Sequence, residues 1–515
     1  MFNKKFWRPI LLGIILVELI SLAVFLLPGL KIFAFILMAG IFLILSLIDL
    51  KYGALIVLAE LILGSKGGYL FSLEMDGGAL SIRIAFWLIL ISVWFTKILL
   101  PALVKKQAKQ FSVINNTWFK YFGVLMFFVL WGLLNGALSH NSFSNIFFDF
   151  NAYLYFLLIF PLFSILINQD TDKLKKISNE VIQVASVAVL WISAKTLILL
   201  FLFSHKLDFI NSYLYSWVRT SGVGEITQVQ GGFYRIFFQS HIFVLVAFIV
   251  FLLIAISFLS KYEASIKSLI KNKQFIYSFL LLTLLFMTSL VSMSRTNWVG
   301  FIVAIILVFV YSLWRYKLKG LISFFALSIL LFVFSFILVI ALVKFPYPKA
   351  IGGFQTGDIF TERASEIKNE AGVSSRWNLL PELTEEIKSA PLLGKGFGAT
   401  VTYISNDPRV RNNNVDGVYT TFAFEWGWLD IYLKLGLFGF LAYILFLLII
   451  IIKISKNVFT AKYLNREIFV GLAIALISLG AINFFSPYLN HPLGIGLILY
   501  SVFISESLSM KSALD

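Results

Sequence analysis

The residues of this chain best suited to chemistry are arginines at the edges of apolar runs. Arg376 lies in Ser374-Ser375-Arg376-Trp377-Asn378-Leu379-Leu380, ahead of a glutamate-rich stretch. With Ser375 read as an N-cap, Arg376, Leu380, Leu383 and Ile387 share one face of a predicted helix, which Pro381 would kink. A cation on an apolar face either snorkels or meets an anion from protein or ligand, and both readings stand here. Arg235, in Gly231-Gly232-Phe233-Tyr234-Arg235, is read as entering a further apolar run. Arg295 occupies the turn Met293-Ser294-Arg295-Thr296-Asn297-Trp298, and Arg219 and Arg411 lie in the two longest polar segments. A single arginine at such an edge is an anchor. Several from separate segments on one side point to a shared polyanion, because the guanidinium fork matches phosphate oxygens and stays charged.

Two more segments carry polar chemistry. Glu425-Trp426-Gly427-Trp428-Leu429-Asp430 runs into an apolar span. Glu425 either complements the helix macrodipole or serves as a general base with its proton affinity raised by partial desolvation. Trp426 and Trp428 suit an interfacial aromatic belt. In Pro391-Leu392-Leu393-Gly394-Lys395-Gly396-Phe397-Gly398 the alternating glycines make a tight connection or offer amides to a phosphate. His241 reads as a satisfied interfacial histidine. The four histidines are scattered and cysteine is absent, which excludes disulfides and thiolate metal sites.

The elements that hold these residues are set by composition. Of 515 residues 60% are apolar and 13% charged, and mean hydropathy is +0.92, far from the balance of a soluble domain. At about 20 residues per crossing the apolar content supplies about fourteen spans. The runs fall near 9–27, 30–48, 53–64, 82–100, 119–138, 149–167 and 178–203. Others fall near 236–259, 275–292, 298–314, 321–344, 429–452, 468–486 and 493–508. The 53–64 run is short, so the expected count is 12–14. The chain therefore reads as an all-α polytopic membrane protein. Residues 1–344 form an N-terminal bundle with an external loop at 204–234, 345–428 a large external loop with short helices, and 429–515 the C-terminal spans.

The net charge of +16 then marks cytoplasmic loops rather than a nucleic-acid partner. Counted from a cytoplasmic N-terminus, alternate loops carry Lys105/Lys106/Lys109, Lys173/Lys175/Lys176, Lys261/Lys267/Lys271/Lys273, Arg315/Lys317/Lys319 and Lys453/Lys456/Lys462/Arg466. Both termini are expected in the cytoplasm and the long 345–428 segment outside, where chemistry is expected because long loops are usually functional.

In this order the segments around Arg295, Arg376 and the glycine run, with the closing Gly436-Leu437-Phe438-Gly439, resemble the O-antigen ligase and polymerase family of bacterial envelopes over about residues 215–450. The resemblance implies a GT-C-like helical glycosyltransferase of the bacterial cytoplasmic (inner) membrane that needs no metal, cofactor or nucleotide sugar. Its donor would be an undecaprenyl-diphosphate-linked glycan, and its acceptor a hydroxyl of a saccharide or lipid-linked glycan, with other envelope assembly proteins as further partners. Carried over by position, Arg376, completed by Leu380, and Arg235 would hold the diphosphate. Arg295, Arg219 and Arg411 stand as substrate contacts. Ligases of the family carry His-Asn eleven residues before Gly-x-x-Gly. Here Glu425 and Trp426 stand there, which makes Glu425 the candidate base and favours a polymerase or a ligase for another glycan over ligation to lipid A core. The rival from another class is a lipid-linked oligosaccharide flippase or other polysaccharide transporter. The few mid-span charges, Glu18, Glu60 and Lys195, weigh against a charged translocation path.

Overall fold

The computed structural model describes residues 4–65, 68–75, 78–104, 117–167, 169–261, 271–353, 371–412, 414–461 and 463–509. Lys105, Lys106, Lys109, Lys267 and Lys462, counted in the basic alternation, lie outside the described residues, as do residues 354–370 of the long loop.

Helices dominate the order. Those of twelve or more residues are α1 (Lys4–Leu26), α2 (Lys31–Ile48), α3 (Leu50–Gly64), α4 (Ile82–Trp94), α5 (Thr117–Leu138), α6 (Phe143–Leu154), α7 (Thr171–Ser204) and α8 (Asp208–Thr220). There follow α9 (His241–Lys261), α10 (Lys273–Ser292), α11 (Arg295–Val343), α12 (Ala371–Ser389), α13 (Gly427–Thr460), α14 (Tyr463–Ile482) and α15 (Pro492–Ser509). Among the described residues, twelve helical segments are long and apolar enough to cross a membrane. One of these, the 49-residue α11, is two arms joined at Lys317, where φ is 52° and ψ −137°. The arms fold back on each other: Phe309 packs on Phe324 at 5.6 Å, and Phe286 reaches both Phe301 and Phe332. Counting the arms separately and adding the short, buried α3 gives the fourteen apolar runs of the sequence. The chain is an all-α multi-pass membrane protein.

Among the described residues the paired strands form three antiparallel hairpins, β1–β2 (Ser72–Met75 with Gly78–Ser81), β3–β4 (Glu225–Gln228 with Tyr234–Phe237) and β5–β6 (Val401–Ile404 with Val418–Thr421). The second corrects the sequence reading. Arg235 lies on β4 opposite Thr227, not at the entry of a span, which starts at His241. The run from Tyr234 is apolar enough to extend a helix. Gly231 at φ 73° and Gly232 at φ 78° turn the chain back, and β3 takes up its backbone hydrogen bonds.

Charges inside the bundle are paired. Lys195 donates to both Glu18 oxygens at 3.0 and 2.8 Å, and Tyr69 and Trp191 donate to the same carboxylate. Arg83 meets Glu60 at 2.9 Å, and Lys51 meets Glu180 at 2.7 Å. Each of these three carboxylates has a cationic partner, as burial of charge demands. His241 is buried with its Nε2 3.0 Å from Thr196 Oγ1, which agrees with its reading as a satisfied histidine.

Candidate active site

The polar end of the bundle is organised by α12. Leu379, Leu383 and Ile387 are buried against Ala399, Val401, Phe424 and Leu433. Each such side chain contributes about 1.5–3 kcal/mol, and together they seat the helix over the start of α13. The buried stripe is therefore led by Leu379, and Leu380 is only half-buried. Leu383 and Ile387 are buried as expected, with Leu379 in the place of Leu380. Arg376, three residues before Leu379, continues the same face at the N-terminal edge of the stripe, its side chain 38% exposed. Ser375 is no N-cap, since the helix already begins at Ala371. Its hydroxyl instead accepts the amides of Asn406 and Asp407 at 2.8 and 3.1 Å, which ties α12 to the segment after β5. The helix continues past Pro381 to Ser389.

At that edge the Arg376 guanidinium forms an ion pair with the Glu425 carboxylate, their side chains 38% and 51% exposed. Two sequence candidates 49 positions apart thus touch. Trp426 fixes the junction: its indole N–H donates to the Arg376 carbonyl at 3.0 Å, and its ring lies 5.4 Å from Trp377 and 5.6 Å from Phe485. Packing between these segments accounts for Trp426 more directly than a lipid-facing belt does. Trp428 donates to the Gly480 carbonyl at 2.8 Å.

The other arginines form a second set. Arg235 donates from Nε to the Ser292 carbonyl at 3.0 Å, its guanidinium lying 4.9 Å from the Phe237 ring centre. Glu225 lies between two of them, 3.9 Å from Arg235 and 3.8 Å from Arg219. Ser292 immediately precedes the turn holding Arg295, so Arg235 and Arg295 share a corner. That corner joins the Arg376 site through the turn at 483–491. Ser486 bonds Thr296 at 3.2 Å, while its neighbour Phe485 packs on Trp426. Arg411 is placed differently. It donates to the Ser405 carbonyl at 3.2 Å and to Asn406 Oδ1 at 2.6 Å, bracing the β5–β6 hairpin.

The glycine run is not a phosphate cradle. The amides of Lys395 and Gly396 donate to the carbonyls of Leu433 and Lys434 at 2.7 and 3.1 Å, and that of Phe397 to Gly132 at 2.9 Å. Gly398 N–H donates to Asp149 Oδ2 at 2.7 Å, and Gly394 N–H to the Ala390 carbonyl at 3.1 Å. Every amide from 394 to 398 is already used. The carbonyls of Leu433 and Lys434 are available because α13 breaks at Gly436, φ 71°. Leu437 N–H beyond the break donates back to Pro391 at 2.9 Å. The two glycine motifs thus exchange backbone hydrogen bonds, so the kink leaves no orphaned group. Gly396, φ 77°, lies so close to α5 that a Cβ there would meet Gly136 N at 2.0 Å.

Sequence reasoning missed the charges beneath this lock. Lys434, 3% exposed at its side chain, bonds Asp149 at 2.7 Å and Asp430 at 2.5 Å. It also donates to the Phe422 carbonyl at 3.0 Å, and Asn490 donates to Asp430. One ammonium thus holds α6, α13 and the chain three residues before Glu425. The i, i+4 spacing of Asp430 and Lys434 was a readable signal; the third partner, Asp149, had none.

Residues 279–444 match the family model of the O-antigen ligase. That span contains Arg295, Arg376, both glycine motifs and Glu425, and leaves Arg219 and Arg235 outside. No curated protein matches the chain. In this multi-pass helical bundle the segment that carries Arg295, Arg376, Glu425 and both glycine motifs is thus similar to the O-antigen ligase domain over residues 279–444.

Proposed function

We propose that the protein is a glycosyltransferase of the bacterial cytoplasmic membrane. It moves or polymerises a glycan from an undecaprenyl-diphosphate carrier onto an acceptor hydroxyl at the outer face. The observation that carries this reading is the contact of Arg376 with Glu425 at the polar end of the bundle, inside the matched domain. In sugar transfer the acceptor oxygen bonds to the anomeric carbon as the bond from that carbon to the diphosphate breaks. A base for the entering hydroxyl and a cation for the leaving diphosphate are thus needed around one carbon.

Glu425 takes the acceptor proton, and the departing electron pair rests on the diphosphate, held by the guanidinium groups of Arg376 and Arg235. The external assignment follows from charge. Lys453 and Lys456 lie near the far end of α13 from Glu425, and Lys317 at the far end of the α11 hairpin from Arg295. The positive-inside rule puts those ends in the cytoplasm. A transporter is less well supported, since Glu18, Glu60 and Lys195 are all in ion pairs.

The test incubates purified protein with a polyprenyl-diphosphate glycan and resolves longer or transferred product. Glu425→Gln should lower turnover roughly 10²–10⁴-fold, the worth of a general base. Arg376→Lys, which keeps charge but loses the fork, should also fall strongly. Full activity in both variants at normal protein levels would refute the assignment.

A further inference from the structure

We propose that Glu425 and the donor's diphosphate are alternative occupants of the Arg376 guanidinium, so that donor binding releases the base and the donor binds first. This rests on the reading of Arg376 as donor clamp and Glu425 as base, and adds the order in which they act.

The argument begins with exposure. The Glu18–Lys195 and Asp430–Lys434 pairs have side chains at most 9% exposed, and neither partner can leave without stranding a buried charge. The Arg376–Glu425 pair is 38% and 51% exposed, so water solvates either group when they part. Such a pair has a small net worth, whereas a diphosphate brings more charge and several oxygens shaped to the guanidinium fork. Exchange therefore favours the diphosphate.

The backbone need not move. The Trp426 indole bond to the Arg376 carbonyl and the contact of Trp426 with Trp377 hold the two segments together independently of the ion pair. Side-chain rotation alone swaps the partner. A guanidinium beside a carboxylate favours its charged form, so losing that neighbour raises the carboxylate's affinity for a proton, the property a base needs. The base is thus masked until the leaving group is seated. Glu225, lying between Arg219 and Arg235 at 3.8 and 3.9 Å, stands in the same relation to the second arginine set.

The sign of one binding constant tests this. The full chain in detergent is titrated with a glycan-free polyprenyl diphosphate. Wild type should bind and Arg376→Ala should bind at least about tenfold more weakly. Glu425→Gln should bind about 1.5- to 5-fold more tightly, the fold-change that removing an exposed pair corresponds to. Glu425→Ala should shift the same way, which guards against a folding fault peculiar to one variant. Acceptor affinity should rise when the diphosphate is present. If Arg376→Ala weakens binding but both Glu425 variants bind as wild type, the two groups do not compete. If both Glu425 variants bind more weakly, Glu425 orients Arg376; either result overturns the exchange and leaves the clamp standing. If wild type does not bind, or Arg376→Ala binds equally well, the donor clamp itself is wrong and the exchange falls with it.

Discussion

Ion pairs occur at two depths in this protein, and the same chemistry has opposite consequences at each. Deep in the bundle, Lys195 is enclosed by Glu18, Tyr69 and Trp217, its ammonium 4.6 Å from the Trp217 ring centre. At the polar end, Arg376 and Glu425 meet with much of both side chains in the open. The first pair joins α1 to α7 and is fixed by its own burial. The second is held in place by what surrounds it, and its partners are free to change. Exposure, more than charge, separates an ion pair that builds the fold from one that can take part in a reaction.

The sharpest break of this contrast is Lys195→Met. It strands the Glu18 carboxylate in an apolar interior, and breaking a buried pair costs roughly 3–5 kcal/mol. Thermal unfolding in detergent should show a large fall in Tm and a fall in yield. Adding Glu18→Gln should recover most of the loss, because the uncompensated charge is then gone. If the single variant is as stable as wild type, the deep pair does no more than the exposed one and the contrast fails.

A second test asks whether the site's geometry is supplied from below. Gly396→Ala puts a Cβ 2.0 Å from Gly136 N and requires φ 77° of an L-residue. Left-handed backbone costs roughly 1–2 kcal/mol, and overpacking typically a further 1–3 kcal/mol. The expected result is a lower Tm together with lost transfer, since the lock between residues 391–398 and the α13 kink positions the chain leading to Glu425. Lost transfer without a stability change would mean that the glycine run contacts substrate after all.

The sequence made the membrane helices readable because every apolar run except that of α3 is long enough to span alone. α3, at 15 residues, was ambiguous because it is too short. What it could not show was partnership. Arg376 and Glu425 stood out separately, each at an apolar boundary, but nothing in their spacing said they touch. The Leu379-led stripe differs from the expected one by a single residue, and adjacent leucines at 379 and 380 leave that choice undetermined until Ala399, Val401 and Phe424 supply the opposing surface. The glycine amides looked available only because their acceptors come from Gly132, Asp149, Leu433 and Lys434. Gly231-Gly232 did carry a hairpin signal, outweighed by the apolar residues that follow.

The smallest expected effect concerns Arg411, grouped with the substrate contacts on sequence grounds. Its guanidinium reaches Ser405 O and Asn406 Oδ1 within its own loop, and a net hydrogen bond contributes about 0.5–1.5 kcal/mol, less where water replaces it. Arg411→Ala should therefore lower Tm by no more than a few degrees. It should leave the transfer rate within about twofold of wild type and donor KM unchanged, because the β5–β6 ladder and the Ser375 hydroxyl still hold the hairpin. Initial rates at varied donor concentration decide the matter. A KM raised tenfold at unchanged Tm would return Arg411 to the substrate site, and the reactive end of the molecule would then extend across the hairpin instead of stopping at the edge of α12.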